Sequence, residues 1–148
     1  MNKGQLAVEN FKTGLNCAQS VVLAFKDEMG MSEEMLKKLS IGYGGGVGRQ
    51  REVCGAVLGM TMVLSYLLSD GNDKLSIYSV IQAASKEFKE KVGSIICKDL
   101  LDEETLKDTS AKPEERTAEY YKKRPCDELC AIAAEITENV LKSSVNKG

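Results

Sequence analysis

Apolar residues recur along this chain at helical spacing, and capping residues and glycines divide them into segments. The predicted helices cover residues 3–13, 17–29, 33–40, 53–69, 73–91, 97–101, 114–121 and 125–141. Alternating runs of β-branched residues, which are typical of strands, do not occur in the sequence. The pattern therefore predicts an all-α fold, a bundle of about five to six helices packed around one apolar central helix.

Individual residues predict where these helices begin and end. The expected starts carry good N-caps or a proline, namely Asn16, Ser32, Asn72 or Asp73, and Pro125. Glycine marks two expected ends, at Gly30 and Gly93. Three helices have a clear apolar face for the core: Leu6, Ala7 and Phe11; Leu75, Ile77, Tyr78, Ile81, Ala84 and Phe88; and Leu129, Ile132, Ala133, Ile136 and Val140.

The most apolar segment lies between Glu52 and Asp70 and carries no charge. Its length is at the bottom of the range that crosses a bilayer, and it contains glycine, serine and threonine. We therefore expect the central helix of the bundle at about residues 50–69, and no membrane as a partner. The whole chain, 1–148, is expected to form one domain with its core at about 5–141 and a frayed tail at 142–148.

Composition narrows the range of functions. The net charge is −2 with interspersed signs, so we expect no nucleic-acid partner. The sequence contains no histidine, which excludes Cys/His zinc patterns and the usual Ser-His-Asp and Cys-His catalytic sets. No apolar run follows the N-terminus, so a cytoplasmic location is expected. Five cysteines in that compartment indicate catalysis or metal binding rather than a disulfide framework.

Four cysteines coincide with expected helix starts: Cys17, Cys54, Cys97 and Cys126. A helix N-terminus stabilises a thiolate, so these cysteines are predicted to be acidic, nucleophilic and good metal ligands. Their wide spacing matches no local zinc, ferredoxin or thioredoxin motif, so the fold must assemble a joint site. Cys130 lies one turn after Cys126 and is the least certain member, and each cysteine alone is equally consistent with a small buried core residue.

Glycines supply two further features. The loop 42–48 is glycine-dense and is followed by Arg49 and Arg51, so its N–H groups and the guanidinium groups are candidates for holding an anion or a reduced cluster. The candidate cofactor-binding residues are Gly44, Gly45, Gly46 and Arg49; a plain turn between helices is the alternative. Gly55 and Gly59 share a helix face, which indicates either a closely packed helix or a ligand.

These motifs, in this order, resemble the C_GCAxxG_C_C (CGAxxG) family of redox-active bacterial and archaeal proteins. The resemblance covers residues 5–141 and rests on the segments 16–20, 42–49, 53–59, Phe88 with 93–97, and Cys126. The four characteristic cysteines of that family fall on Cys17, Cys54, Cys97 and Cys126, and Cys130 is outside the pattern. The resemblance implies a redox role, with some relatives described as selenoproteins and others encoded near transporter genes, and no assigned substrate.

Three functions follow from the residues. The first is a thiol-dependent oxidoreductase in which the four cysteines carry out thiol–disulfide exchange with an unidentified redox partner, with Cys54 central. The second is an iron–sulfur or zinc protein with the same four cysteines as ligands. The third is a structural or interaction module whose cysteines only pack. The central helix and Met29, Met31 and Met35 are consistent with a homodimer as well as with a core.

Overall fold

The structure, a computed structural model, describes residues 1–71 and 73–147. It contains ten α-helices in that part of the chain: α1 Lys3–Lys12, α2 Cys17–Ala24, α3 Lys26–Met29, α4 Glu33–Ser40, α5 Gly55–Leu68, α6 Lys74–Val92, α7 Cys97–Leu100, α8 Glu103–Leu106, α9 Ala118–Lys123 and α10 Cys126–Lys147. Six of the ten have at least eight residues, and one isolated antiparallel bridge joins Val53 to Ile96. The predicted all-α fold is confirmed.

The core lies where α1, α2, α5 and α10 pack against one another. Its largest fully buried side chains include Phe11, Phe25, Phe88, Leu36, Met60 and Leu64. Helix α5 contacts α2, α6 and α10, as expected for the apolar central helix. Among the described residues, none of the helices is both long and apolar enough to span a membrane.

The two glycines of α5 allow α2 to approach closely. A Cβ atom on Gly59 would lie 2.9 Å from the Ala18 carbonyl oxygen and 3.1 Å from Cβ of Val21. A Cβ atom on Gly55 would lie 3.2 Å from Cβ of Cys17. Close helix packing therefore accounts for this glycine pair, and it brings the start of α2 against the start of α5.

Several predicted boundaries differ from the structure. The helix predicted over 17–29 is divided at Phe25, whose φ of −110° and ψ of 18° interrupt the helix before α3. The region predicted as a loop at 102–113 contains α8, and the helix expected from residue 114 begins at Ala118. Pro125 immediately precedes α10, which continues past the predicted end at Leu141 to Lys147, through most of the expected tail. Gly148 lies outside the described residues.

The predicted apolar face of α6 is wrong at its first turns. Leu75 is 79% exposed and Tyr78 is 60% exposed, whereas Ala84 and Phe88 are buried. Helix α6 packs to a similar extent against α5 and against α10. Its N-terminal turns extend beyond this packed region. Asp73 caps this helix by accepting a hydrogen bond from the Ser76 N–H, while the alternative cap, Asn72, lies outside the described residues.

Asn16 links the start of α2 to the glycine loop. Its side chain completes a capping box with Gln19, and its Nδ2 also donates to the carbonyl oxygen of Ile41 at 2.9 Å. Asn2 forms the same capping box with Gln5 at the exposed start of α1.

This pair of caps gives a matched test. We expect Asn16→Ala to lower the free energy of unfolding by about 1–2 kcal/mol, and Asn2→Ala by about 0.5–1 kcal/mol, because only Asn16 has the additional bond to the loop. Urea denaturation of both variants measures the difference. Equal costs would show that the Ile41 contact contributes nothing.

Candidate thiol site

The four predicted cysteines do begin helices. Cys17, Cys97 and Cys126 are the first residues of α2, α7 and α10, and Cys54 is the N-cap of α5. All four side chains are buried, as is Cys130, and all five are free thiols. The sequence therefore predicted correctly where along the helices these residues lie.

A backbone bridge places Cys54 beside Cys97. The Cys54 N–H donates to the carbonyl oxygen of Ile95 at 2.7 Å, and the Cys97 N–H donates to that of Glu52 at 2.6 Å. These bonds flank the Val53–Ile96 pair, so the two cysteines follow the paired residues and lie diagonally on one face of the bridge. Diagonal pairs in such ladders have Cα atoms about 7–8 Å apart.

A second group of cysteines forms where α2 meets α10. The Cys17 thiol has Cys126 and Cys130 as neighbours, and both of them shift its pKa. The Cys130 thiol also lies 3.8 Å from the Cys17 carbonyl oxygen, to which it donates. Cys130, which the sequence left uncertain, thus contacts the first cysteine from the buried side.

One cavity of about 350 Å³ unites the two groups. Its lining includes all four predicted cysteines, Cys17, Cys54, Cys97 and Cys126, and all four residues predicted to bind a cofactor, Gly44, Gly45, Gly46 and Arg49. Cys130 is not part of the lining. The fold therefore brings the sequence-predicted residues to a single space of a size suited to a small molecule.

Arginines surround the same cavity. Arg49, Arg51, Arg116 and Arg124 line it, with Glu114 as the carboxylate among the lining residues. Arg124 forms an ion pair with Glu114, and Arg116 donates to the carbonyl oxygens of Phe11 and Leu15. Arg116 and Tyr120 also line the cavity. No local motif in the sequence indicates them, because both are placed there by packing against Phe11 of α1.

Arg116 is held by aromatic rings as well as by carbonyl groups. Its guanidinium carbon lies 4.3 Å from the ring centroid of Phe11 and 4.9 Å from that of Tyr120. Such contacts fix the guanidinium plane against the rings. Arg116 therefore contributes positive charge to the cavity from a fixed position.

Several N–H groups at and after the end of the glycine loop bond back to the loop itself. The N–H groups of Val47, Gly48, Arg49, Arg51 and Glu52 all donate to carbonyl oxygens within residues 42–46. The backbone takes positive φ at five consecutive residues from Gly45 to Arg49, and again at Arg51. These bonds hold the loop in shape and position the two arginines. Gly44, Gly45 and Gly46 line the cavity, and their role in binding a cofactor stays a prediction.

The prediction of acidic thiols is wrong. Burial raises the pKa of Cys54 to about 12, despite hydrogen bonds from the N–H groups of Ala56 and Val57 that lower it. The hydrogen bond with Cys17, together with burial, raises the pKa of Cys126 well above its usual value. The free-energy cost of desolvating a buried thiolate exceeds the stabilisation that the helix N-terminus provides.

The remaining thiols follow the same direction with different causes. For Cys17, hydrogen bonding with Cys126 lowers the pKa, but contact with Cys130, burial and neighbouring thiolates raise it well above the usual value. For Cys130, hydrogen bonding with Cys17 lowers the pKa, and burial and other cysteines raise it overall. Burial also raises the pKa of Cys97, but Arg51 opposes this through a hydrogen bond and its charge.

A metal site is not formed by these side chains as they stand. Within residues 1–71 and 73–147, no group of three or more histidine, cysteine, aspartate or glutamate side chains is arranged to hold a metal ion. The assignment of Cys17, Cys54, Cys97 and Cys126 as ligands of zinc or of an iron–sulfur cluster therefore stays a prediction.

Comparison with known proteins identifies the family. A family model described as "Putative redox-active protein (C_GCAxxG_C_C)" matches residues 15–140. The chain belongs to this C_GCAxxG_C_C family. It is also 26% identical over 148 residues to an uncharacterized protein of Archaeoglobus fulgidus, covering 92% of this chain and 91% of that protein. No solved structure matches the chain.

The name of the C_GCAxxG_C_C family describes its cysteine and glycine pattern, and the structure gives that pattern a physical meaning here. The segment 54–59 places a thiol at the cap of α5 and two glycines on the face that receives α2. Because Gly55 faces Cβ of Cys17, the glycine and cysteine positions of the motif together bring two thiols to one cavity.

Raised thiol pKa values make the stability of this C_GCAxxG_C_C protein pH-dependent. The folded state holds Cys54 protonated up to about pH 12, whereas the usual value is 9.0. The stabilisation is fully present below the unfolded value and is lost as pH rises from there toward the folded value. We expect the free energy of unfolding to fall above about pH 9, with Cys54 contributing on the order of a few kcal/mol and the other buried thiols acting in the same direction.

Urea denaturation between about pH 8 and about pH 11 measures this effect. The free energy of unfolding should fall less steeply with pH in Cys54→Ala than in the wild type. It should fall as in the wild type in Thr61→Ala, a control in the helix that Cys54 caps, because threonine does not ionise. A Cys54→Ala slope equal to that of the wild type would contradict the assignment.

Proposed function

We propose that this protein is a thiol–disulfide redox protein that works in the cytoplasm through the cysteines lining its cavity. The observation that carries the proposal is the convergence of Cys17, Cys54, Cys97 and Cys126, from four separate helix starts, on one cavity of about 350 Å³. Five free thiols suit a compartment that keeps cysteines reduced.

Cys97 is the attacking thiol in this proposal. Its sulfur lies 3.9 Å from Nη1 of Arg51, which donates to it, and this is the contact that best stabilises a thiolate in the cavity. Its pKa is still raised by burial, so attack proceeds through the minor thiolate fraction, whose nucleophilicity is correspondingly high.

The exchange takes place in two steps. The Cys97 thiolate attacks one sulfur of a substrate disulfide, the substrate S–S bond breaks, and the first substrate thiolate leaves and takes up a proton. The Cys54 thiol then loses its proton and attacks the Cys97 sulfur, which releases the second substrate thiol and forms a Cys54–Cys97 disulfide. Two electrons thus pass from the protein to the substrate disulfide.

Closing that disulfide requires a small movement. Disulfides join Cα atoms about 4.4–6.8 Å apart, whereas diagonal pairs across an antiparallel ladder are typically about 7–8 Å apart. Helix α7 has four residues, against fourteen in α5, so α7 is the element that shifts. Cys17 and Cys126 are neighbouring cysteines that line the same cavity, and they form a second dithiol that can exchange with the first.

Anaerobic purification followed by a thiol count tests the proposal. We expect a colourless protein without bound metal that loses thiols in pairs on mild oxidation, with Cys54–Cys97 or Cys17–Cys126 linkages found by peptide mapping. Stoichiometric iron with sulfide, or stoichiometric zinc, bound through these cysteines would overturn the proposal in favour of the metal alternative. Thiols that resist oxidation in the folded protein would favour a purely structural role.

A further inference from the structure

Arg51 has hydrogen-bonding capacity that the protein does not use. Its Nε and Nη2 atoms are buried and have no hydrogen-bond partner among the described residues, while Nη1 faces the Cys97 sulfur. Leaving buried polar groups of a charged side chain without hydrogen bonds destabilises the fold. Such groups in a native structure call for a partner that the chain itself does not supply.

The free groups form one edge of the guanidinium. The Nε–H bond and one Nη2–H bond point in parallel, and this edge is the fork that binds two oxygens of a carboxylate or a similar oxyanion. Arg51 also lines the cavity, but the two nitrogens themselves are buried, so an occupant of the cavity meets this edge after a small rotation of the side chain.

Within the described part of the chain, no carboxylate forms an ion pair with Arg51. Arg124 is paired with Glu114, and Arg49 donates through Nη1 to the carbonyl oxygens of Ser110 and Lys112. Nη2 of Arg49 forms an ion pair with the Asp108 carboxylate at 3.6 Å, although it is buried without a hydrogen-bond partner among the described residues. The raised pKa of Cys97 keeps its thiol largely neutral near pH 7, so it does not balance the charge.

We infer that the cavity binds a small oxyanion, and that the Nε–Nη2 edge of Arg51 holds two of its oxygens beside the Cys97 sulfur. Carboxylates and sulfur or phosphorus oxyanions share this chemistry. If Cys97 attacks as proposed above, the substrate is an acidic small-molecule disulfide; that step rests on the proposed function, whereas the anion site does not.

Alkylation of Cys97 with two reagents of similar size tests the site. Iodoacetate carries a carboxylate and iodoacetamide is neutral, and peptide mass spectrometry measures the modification rate at Cys97 in the reduced protein. Dividing one rate by the other removes the thiolate fraction, so the ratio is independent of the Cys97 pKa. We expect the ratio to be about tenfold higher in the wild type than in Arg51→Gln.

Controls separate the guanidinium edge from charge alone. Lys98→Gln removes one positive charge beside Cys97 from an exposed side chain and should keep the wild-type ratio. Arg51→Lys keeps the charge but loses the fork, and should fall between the wild type and Arg51→Gln. Sulfate should lower the iodoacetate rate more than chloride does at equal ionic strength, in the wild type only.

A second measurement tests the anion site if Cys97 reacts with neither alkylating reagent. Sulfate should raise the melting temperature of the wild type more than chloride at equal ionic strength, and should lose this advantage in Arg51→Gln. Equal ratios in the wild type and Arg51→Gln, or no sulfate-specific stabilisation when Cys97 is inert, would overturn the inference. Because both readouts use reduced protein, they stand or fall independently of disulfide exchange.

Discussion

Replacing Cys97 by serine should slow the first step of disulfide reduction by about 100-fold or more, because a serine hydroxyl does not form the attacking anion. Dithiodipyridine is a suitable probe, since it is an uncharged disulfide and releases a chromophore with each bond broken. With less probe than protein, stopped-flow absorbance follows the two releases from each probe molecule separately.

Release of the second chromophore identifies the cysteine that resolves the mixed disulfide on Cys97. The wild type should release two chromophores per probe molecule, whereas Cys54→Ser should release the first at the wild-type rate and retain the second as a mixed disulfide on Cys97. Cys130→Ser is the control, because Cys130 does not line the cavity. Wild-type kinetics in Cys97→Ser would contradict the assignment, and retention in Cys126→Ser alone would transfer the resolving role to Cys126.

Substituting Gly46 by alanine should destabilise the fold by about 3 kcal/mol or more. Its φ is +74°, and an added Cβ would lie 2.6 Å from the Glu52 backbone nitrogen and 2.8 Å from Cα of Arg51. These atoms are backbone, so they cannot move aside as the end of a side chain can. The collision also displaces Arg51, so the cavity should lose its shape together with stability.

Gly30 provides a matched control for that substitution. It has a φ of +63° but nothing within 4 Å of an added Cβ. Gly30→Ala therefore carries only the backbone penalty, about 1–2 kcal/mol. Urea denaturation of both variants isolates the steric contribution, and an equal loss of stability would show that the loop adjusts to a side chain at Gly46.

Local signals in the sequence predicted the helix starts and the thiols that occupy them. Asn16, Ser32 and Asp73 act as caps because capping depends on a residue and the next three N–H groups, all of which the sequence contains. The same is true of the placement of Cys17 and Cys126 at first helical positions.

Properties that depend on packing were not predictable in this way. The helix dipole at a cysteine can be inferred from the sequence, but burial of Cys54 reverses its expected effect on the pKa. Leu75 belongs to the apolar stripe of α6, but it is exposed in the structure. Its exposure depends on how far the neighbouring helices extend along α6, which the stripe does not indicate. Arg116 reaches back to Phe11 and Leu15, a contact over about a hundred residues that no local pattern indicates.

The contact between Cys17 and Cys126 has a consequence for the lifetime of the folded chain. These residues are more than a hundred positions apart, so a covalent link between them would close about three quarters of the chain into a ring. In the chain-entropy treatment, closing a loop of that size restricts the unfolded ensemble by about 4–5 kcal/mol. Oxidation would then protect the protein from unfolding and proteolysis, and by thermodynamic reciprocity folding would make the linked pair harder to reduce. Protein turnover would in this way follow the redox state of its surroundings.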